Sequence, residues 1–166
     1  MLAELTIEEA TLPELPSLAR FISEVFLASP LFQGVDEARY AADVILTALQ
    51  QATVFVVRSS GEIMGAAALS SPQRHSPCEH IRRHPSLGFL TVRPEARGQG
   101  VGGLLCEAVE AYAKGRGYPL LLVSATTRGG CLPRYYEQMG YIYLEQFHWP
   151  SAPSPSWIMA KALTLS

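Results

Sequence analysis

The stretch 89-FLTVRPEARGQGVGGLLCEAVEAYAKG-115 limits what this chain can fold into more than any other. Glycine weakens the interior of a helix or strand by roughly 0.5–1 kcal/mol relative to alanine. Gly98, Gly100, Gly102 and Gly103, crowded together, therefore mark a junction between elements. An apolar run ending at Val92 precedes them and a helical pattern over Gly100 to Lys114 follows, so the segment reads as strand, tight elbow and helix start. The first backbone N–H groups of a helix have no partner within it, and the helix dipole is positive there. With no side chains in the way an anion can approach those groups closely, and Arg97 adds a fixed positive charge. A diphosphate suits this arrangement; a tight turn that holds no ligand would also account for the glycines.

Two phosphate-binding patterns fail when their context is checked. Gly98, Gly100 and Gly103 spell G-x-G-x-x-G, but a dinucleotide fold wants an acidic residue about 20 positions further on to hold a ribose, and Val123 and Ser124 stand there. A P-loop wants Gly-Lys-Ser/Thr after its glycines, and none follows.

The rest of the chain alternates strand and helix signals without repeats. Leu2 to Glu8 alternates like a half-buried strand, and 11-TLPE-14 is a capping box ahead of Leu15, Leu18, Ile22 and Val25 at helical spacing. Asp36 is placed to cap a second helix with Ala38, Ala42, Ile45 and Leu49 on one face. Thr53 to Val57 and Ile63 to Leu69 flank 59-SSGE-62 as a hairpin, and Leu87 to Val92 forms a further strand. The fully apolar Leu120 to Val123 reads as a central strand. A short helix over Pro133 to Met139, stopped by Gly140, precedes strands at Tyr141 to Phe147 and Trp157 to Leu163. The order is βααβββαβαββ, an α/β fold expected to form a single domain over residues 1–166.

Composition excludes several classes. A chain with 48% hydrophobic and 17% charged residues is not disordered, and a net charge of −2 gives no field for gripping nucleic acid. No apolar stretch reaches the roughly 18 residues of a membrane span, so no membrane partner and a cytoplasmic location are expected. Cys78, Cys106 and Cys131 lack metal-ligand spacing and read as free thiols, with Cys106 in the core. No metal is expected.

The form Arg97-Gly98-Gln99-Gly100-Val101-Gly102, after 89-FLTVRPEA-96, resembles the strand, turn and helix start of the GNAT acetyltransferase superfamily. The segments 135-YYEQMGY-141 and 157-WIMAKAL-163 are similar to later segments of the same family. The resemblance spans nearly the whole chain. It implies a mixed, mostly antiparallel sheet whose strands splay around acetyl-CoA, the acyl donor. It further implies that Arg97 and the amides of Gly98, Gln99, Gly100, Val101 and Gly102 surround the pyrophosphate, with the backbone at Leu90 and Val92 beside the pantetheine. Tyr136 matches the position of the family's acid; Tyr135 next to it could fill either role, one of the pair facing the core and the other the cofactor.

The implied function is N-acetyl transfer by direct attack of a primary amine, expected to belong to a small molecule; a silent acyl-CoA-binding regulatory module is the alternative. A homodimer is left open. Two departures from the family stand out. Leu87 to Val92 holds no acid to serve as base, leaving Glu79, His84, Glu145 and His148 as weak candidates, and the chain contains no asparagine to precede the tyrosine. The segment 71-SPQRHSPCEHIRRHPS-86 carries Arg74, Arg82, Arg83 and three histidines, and is expected to be a solvated basic loop, or else a lure for anionic ligand groups.

Overall fold

The computed structural model describes residues 3–150 and 152–163. Seven strands make one sheet: β1 (Leu5–Glu9), β2 (Thr53–Ser59), β3 (Glu62–Ser70), β4 (Ser86–Val92), β5 (Leu120–Thr126), β6 (Ile142–Phe147) and β7 (Ser156–Ala162). Their spatial order is β1-β2-β3-β4-β5-β7-β6. Helices α1 (Leu15–Ala28), α2 (Ala42–Leu49), α3 (Glu79–Arg83), α4 (Val101–Gly115) and α5 (Cys131–Gln138) fill the connections. Every neighbouring pair is antiparallel except β4 and β5, which run parallel and pair at one register position, Ser86 with Leu122. Beyond that point the sheet opens into a V. The expected mixed, mostly antiparallel sheet is therefore present, and its long elements follow the expected order.

Local chemistry explains the elements that were legible. Ser60 and Gly61, both at positive φ (51° and 81°), form the two-residue turn that a right-twisted hairpin needs. The N–H and the hydroxyl of Thr11 both donate to Glu14 Oε2, at 3.1 and 2.8 Å, ahead of the 3₁₀ turn that leads into α1. Leu15, Leu18 and Ile22 on α1 are buried. The runs in β2 and β3 are apolar throughout because both faces are covered. Val54, Val56, Ala66 and Ala68 pack under α1 and α2, while Phe55, Val57, Met64 and Ala67 pack under α4. On β1, an edge strand, Ile7 is exposed rather than half-buried, and Leu2 lies outside the described residues.

Two expectations need correction. Asp36 does not cap a long second helix: its carboxylate accepts from the Ala38 N–H to start a 3₁₀ turn over Glu37–Tyr40, and extended Ala41 separates that turn from α2. The cause is tertiary. The Ser23 hydroxyl donates to the Tyr40 carbonyl at 2.5 Å, and the Tyr40 ring packs against Phe26 and Phe32 with centroids 5.7 and 5.5 Å away, which takes the carbonyl out of a helical ladder. The basic segment 71–86 is not wholly solvated either. It holds α3, and Cys78 and Ile81 are buried in a third apolar cluster with Leu122, Ile158 and Ala160.

The start of α4 lies close over the sheet at Gly65. A Cβ there would stand 2.7 Å from the Thr91 carbonyl oxygen and 2.7 Å from Val101 Cγ1. Backbone cannot yield cheaply, so Gly65→Ala should cost about 1–3 kcal/mol as an overpacking change. Urea unfolding of the variant, read as a lower midpoint at unchanged slope, checks this.

Candidate active site

The V between β4 and β5 begins with a fault in β4. Ala68 faces Gly88 and Ala66 faces Thr91, so Ala67 stands opposite two residues, Phe89 and Leu90. Such a bulge leaves backbone groups outside the ladder. Phe89 pays for it with a left-handed φ of 54°, a region unfavourable for a bulky side chain. Two contacts hold it there: the Thr91 hydroxyl donates to the Phe89 carbonyl at 2.8 Å, and the Phe89 ring stacks on Phe26 at 6.4 Å. The resulting cleft has a volume of about 290 Å³, and its wall includes Leu87 to Val92, Arg97, Ser124, Leu132 and Tyr136.

At the elbow, Gly98 and Gly100 have φ of 77° and 87°, and a side chain at either would meet nothing within 4 Å. Gly100 is the N-cap of α4. No side chain caps this end and no acid lies in its first turn, so its N–H groups suit an anionic ligand. The elbow residues are exposed, and the Gln99 side-chain amide donates to the Glu95 carbonyl at 3.4 Å. The Val101 side chain is buried in the core. Gly102 has a separate reason to be glycine, because a Cβ there would fall on the Tyr135 hydroxyl.

The two adjacent tyrosines have different surroundings. Tyr135 packs on α4 beside Gly102, with the Cys106 thiol among its neighbours. Burial, then the neighbouring thiol, pushes its phenol up to about 12. Tyr136 is buried yet forms part of the cleft wall, and burial holds its phenol far above the usual range. Its ring is gripped edge-to-face by Tyr135 and by Tyr141, each 5.5 Å away. Tyr141 in turn donates to Glu110 Oε2 at 3.0 Å, and Lys161 Nζ meets Glu110 Oε1 at 2.9 Å.

A second cavity of about 300 Å³ adjoins the cleft, sharing Leu31, Phe32, Tyr40, Ser124 and Leu132 with it. Arg39, Trp149 and Ser156 are among the other wall residues, and Trp149 Nε1 donates to Ser124 Oγ at 2.9 Å. These residues were not singled out from sequence. They come from four separate segments with no common spacing, and the aromatic-rich run 147-FHWP-150 is the one local signal.

The weak candidates for a base lie elsewhere. Glu79 pairs with Arg83 at 2.9 Å, Glu145 with His80 at 3.4 Å, and His148 Nε2 contacts the Ala152 carbonyl at 3.0 Å. Neither they nor His84 lines the cleft or the second cavity, and among the described wall residues there is no carboxylate or imidazole. Arg82 donates to the Ser76 carbonyl at 2.8 Å. No group of three or more metal-ligating side chains occurs among the described residues, and none of their helices is long and apolar enough to cross a membrane.

A splayed mixed sheet, a bulged strand facing the gap and a glycine elbow at the next helix define the acetyltransferase class of fold. The chain belongs to the acetyltransferase (GNAT) family, which it matches over residues 19–141. Solved structures agree on the fold. A putative acetyltransferase, yncA, from Salmonella typhimurium, determined with its cofactor acetyl-CoA, is similar with a TM-score of 0.69 at 16% identity, covering 98% of this chain and 95% of that one. A GCN5-related N-acetyltransferase from Kribbella flavida gives 0.72 at 20% identity over 95% and 97% of the two chains. The ribosomal-protein-S18-alanine N-acetyltransferase from Escherichia coli gives 0.72 at 16% identity over 98% and 96%. Among curated proteins compared by sequence, none matches significantly.

The contact at Gly102 can be isolated. Gly102→Ala should destabilise the protein by about 1–3 kcal/mol, and Tyr135→Phe in the same chain should recover much of that loss by removing the oxygen the new methyl meets. A double-mutant cycle in urea should show a coupling of at least about 0.5 kcal/mol; additive effects would detach Gly102 from Tyr135.

Proposed function

We propose that the chain is an N-acetyltransferase that moves an acetyl group from acetyl-CoA to a primary amine of a small molecule by direct attack. The observation that carries this is the opening between β4 and β5, with the bulged backbone of Phe89–Leu90 and the ring of Tyr136 both in its wall. The residues present suit the donor. Arg97, Gly98, Gly100 and the first-turn amides of Val101 and Gly102 would hold the pyrophosphate, at a helix start with no acid and no side-chain cap. The Leu90 and Val92 backbone would lie beside the pantetheine. Bound acetyl-CoA supplies an acyl group already activated as a thioester.

The chain then has little chemistry to perform. A Leu90 amide outside the ladder would donate to the oxyanion that forms at the thioester carbonyl. Tyr136 would return a proton to the departing sulfur. Any phenol is protonated at neutral pH; burial makes this one a weaker acid, which the same dry surroundings would offset by raising the proton affinity of the thiolate it would serve. The amine must lose a proton with no carboxylate or imidazole beside it in the described walls. It would enter neutral or pass its proton to water held by the hydroxyls of Ser124 and Thr126, which line the second cavity. That missing base also favours the second reading, an acyl-CoA sensor without turnover.

Thiol release from acetyl-CoA across a panel of amines, with donor binding measured in parallel, separates the two. Turnover supports the enzyme, and binding with no turnover supports the sensor. Tyr136→Phe keeps the ring and removes the proton, so its single-turnover rate should fall by about 10²- to 10⁴-fold while acetyl-CoA binding stays near wild type. A wild-type rate would remove Tyr136 as the acid.

Gly103→Asp tests the elbow. Its Cβ meets nothing within 4 Å, and an acid in the first turn favours the helix while repelling a phosphate. The variant should fold with undiminished thermal stability and lose acetyl-CoA affinity in a calorimetric titration; unchanged affinity would discard the cradle.

A further inference from the structure

Thr91, in the strand that faces the gap, is 2% exposed. It stands opposite Ala66, so its side chain shares the face that α1 and α2 cover. At so dry a strand position valine would offer the same branched shape with no hydroxyl to satisfy. Among the described residues the Thr91 hydroxyl makes one hydrogen bond, donated to the Phe89 carbonyl at 2.8 Å.

That carbonyl belongs to the left-handed residue of the bulge, at a φ of 54°. It is one end of a planar peptide unit, and the Leu90 N–H is the other end. No peptide bond among the described residues is cis, so the two groups point in opposite directions. A donor that fixes where the Phe89 carbonyl points therefore fixes where the Leu90 N–H points. In a regular strand the ladder would do this, but a bulge disrupts the ladder locally. The Phe89 ring, stacked on Phe26 with centroids 6.4 Å apart, holds the side chain and leaves the peptide plane free to rotate. The hydroxyl supplies the restraint that the ring does not. It also draws electron density toward the carbonyl oxygen, and hydrogen bonds in series strengthen one another by about 10–30% each, so the N–H becomes a better donor.

We propose that Thr91 is a positioning residue for acyl transfer: its hydroxyl grips the carbonyl end of the Phe89–Leu90 peptide, and so aims and polarises the Leu90 N–H that meets the thioester oxygen. This rests on the acetyl-transfer function proposed above and gives control of its oxyanion donor to a side chain that acts through the backbone.

The test uses Thr91→Val, which keeps the shape and removes the donor, and Thr91→Ser, which keeps the hydroxyl. Bound acetyl-CoA labelled with carbon-13 at its acetyl carbonyl reports on the Leu90 donor, because a hydrogen bond to that oxygen lowers the stretching frequency seen in the infrared. The band should rise in Thr91→Val and return toward its wild-type position in Thr91→Ser. The rate should follow. For thiol release kcat should fall by about tenfold in Thr91→Val, less than the roughly 10²- to 10³-fold cost of losing an oxyanion donor outright, while the Kd for acetyl-CoA stays near wild type. Thr91→Ser should recover most of the loss, though without the branching methyl its hydroxyl is held less firmly. A purely structural role for Thr91 would lower thermal stability and leave the band of bound acetyl-CoA unmoved.

An unmoved band in Thr91→Val, a wild-type kcat in that variant, or a band displaced as far in Thr91→Ser would each overturn the proposal. Should Thr91→Val not fold, Thr91→Ala removes the same donor and is read in the same way. If the wild-type chain binds acetyl-CoA but acetylates no amine, the failure belongs to the acetyl-transfer function, and the band still decides whether Thr91 sets the donor. A wild-type chain that binds no acetyl-CoA overturns both.

Discussion

Parallel strands inside a sheet ordinarily hold one another along their length through evenly spaced backbone hydrogen bonds. In this chain β4 and β5 meet at Ser86 and Leu122 and then part, and the rest of the architecture follows from that parting. Backbone groups facing such a gap cannot remain unsatisfied in a dry interior, so the gap suits an extended ligand bearing amides of its own. The bulge at Phe89–Leu90 keeps the gap from closing. A regular β4 would align its N–H and C=O groups for continuous pairing, whereas the left-handed Phe89 turns the strand aside and is held by Thr91 within the strand and Phe26 outside it.

The two halves of the sheet are built differently for the same reason. β2 and β3 are sandwiched between α1 and α2 on one face and α4 on the other, which is enough to fix the half that carries the bulge. The far half, β5, β7 and β6, has a smaller cluster formed by Cys78 and Ile81 against Leu122, Ile158 and Ala160. The length of the basic connection between β3 and β4 thus has a structural reason. It returns an apolar turn to cover a face that no long helix reaches, and its charges remain outside, several of them paired with one another or with backbone.

Features set by neighbours in sequence were legible before the structure, and those set by neighbours in space were not. The Thr11–Glu14 cap, the Ser60–Gly61 turn and the elbow at Gly98 and Gly100 are local, so residue type and spacing define them. The break at Ala41 depends on Ser23 reaching the Tyr40 carbonyl from another helix, which no periodicity reveals. Nothing local marks why Gly65 in β3 and Gly102 in α4 must be glycine, because the requirement comes from Thr91 and Val101 in one case and from Tyr135 in the other. That Tyr135 and Tyr136 would have different surroundings was legible, since adjacent residues on a helix point about 100° apart. The wall of the second cavity was not legible at all, because it is assembled from the ends of segments whose meeting depends on the completed sheet.

Glu110 has a further consequence for how the molecule can deform. It sits on α4, which packs chiefly against the bulged half, yet its carboxylate receives Tyr141 and Lys161, both from the far half. One side chain therefore rivets the two jaws of the sheet. Motion that widens or narrows the opening must pivot near this rivet rather than slide the halves past each other. The Tyr136 ring, leaning on Tyr141, sits close to the pivot, where a given rotation produces the least displacement. Such a rotation would thus displace the Tyr136 wall of the cleft less than it would the far ends of the strands.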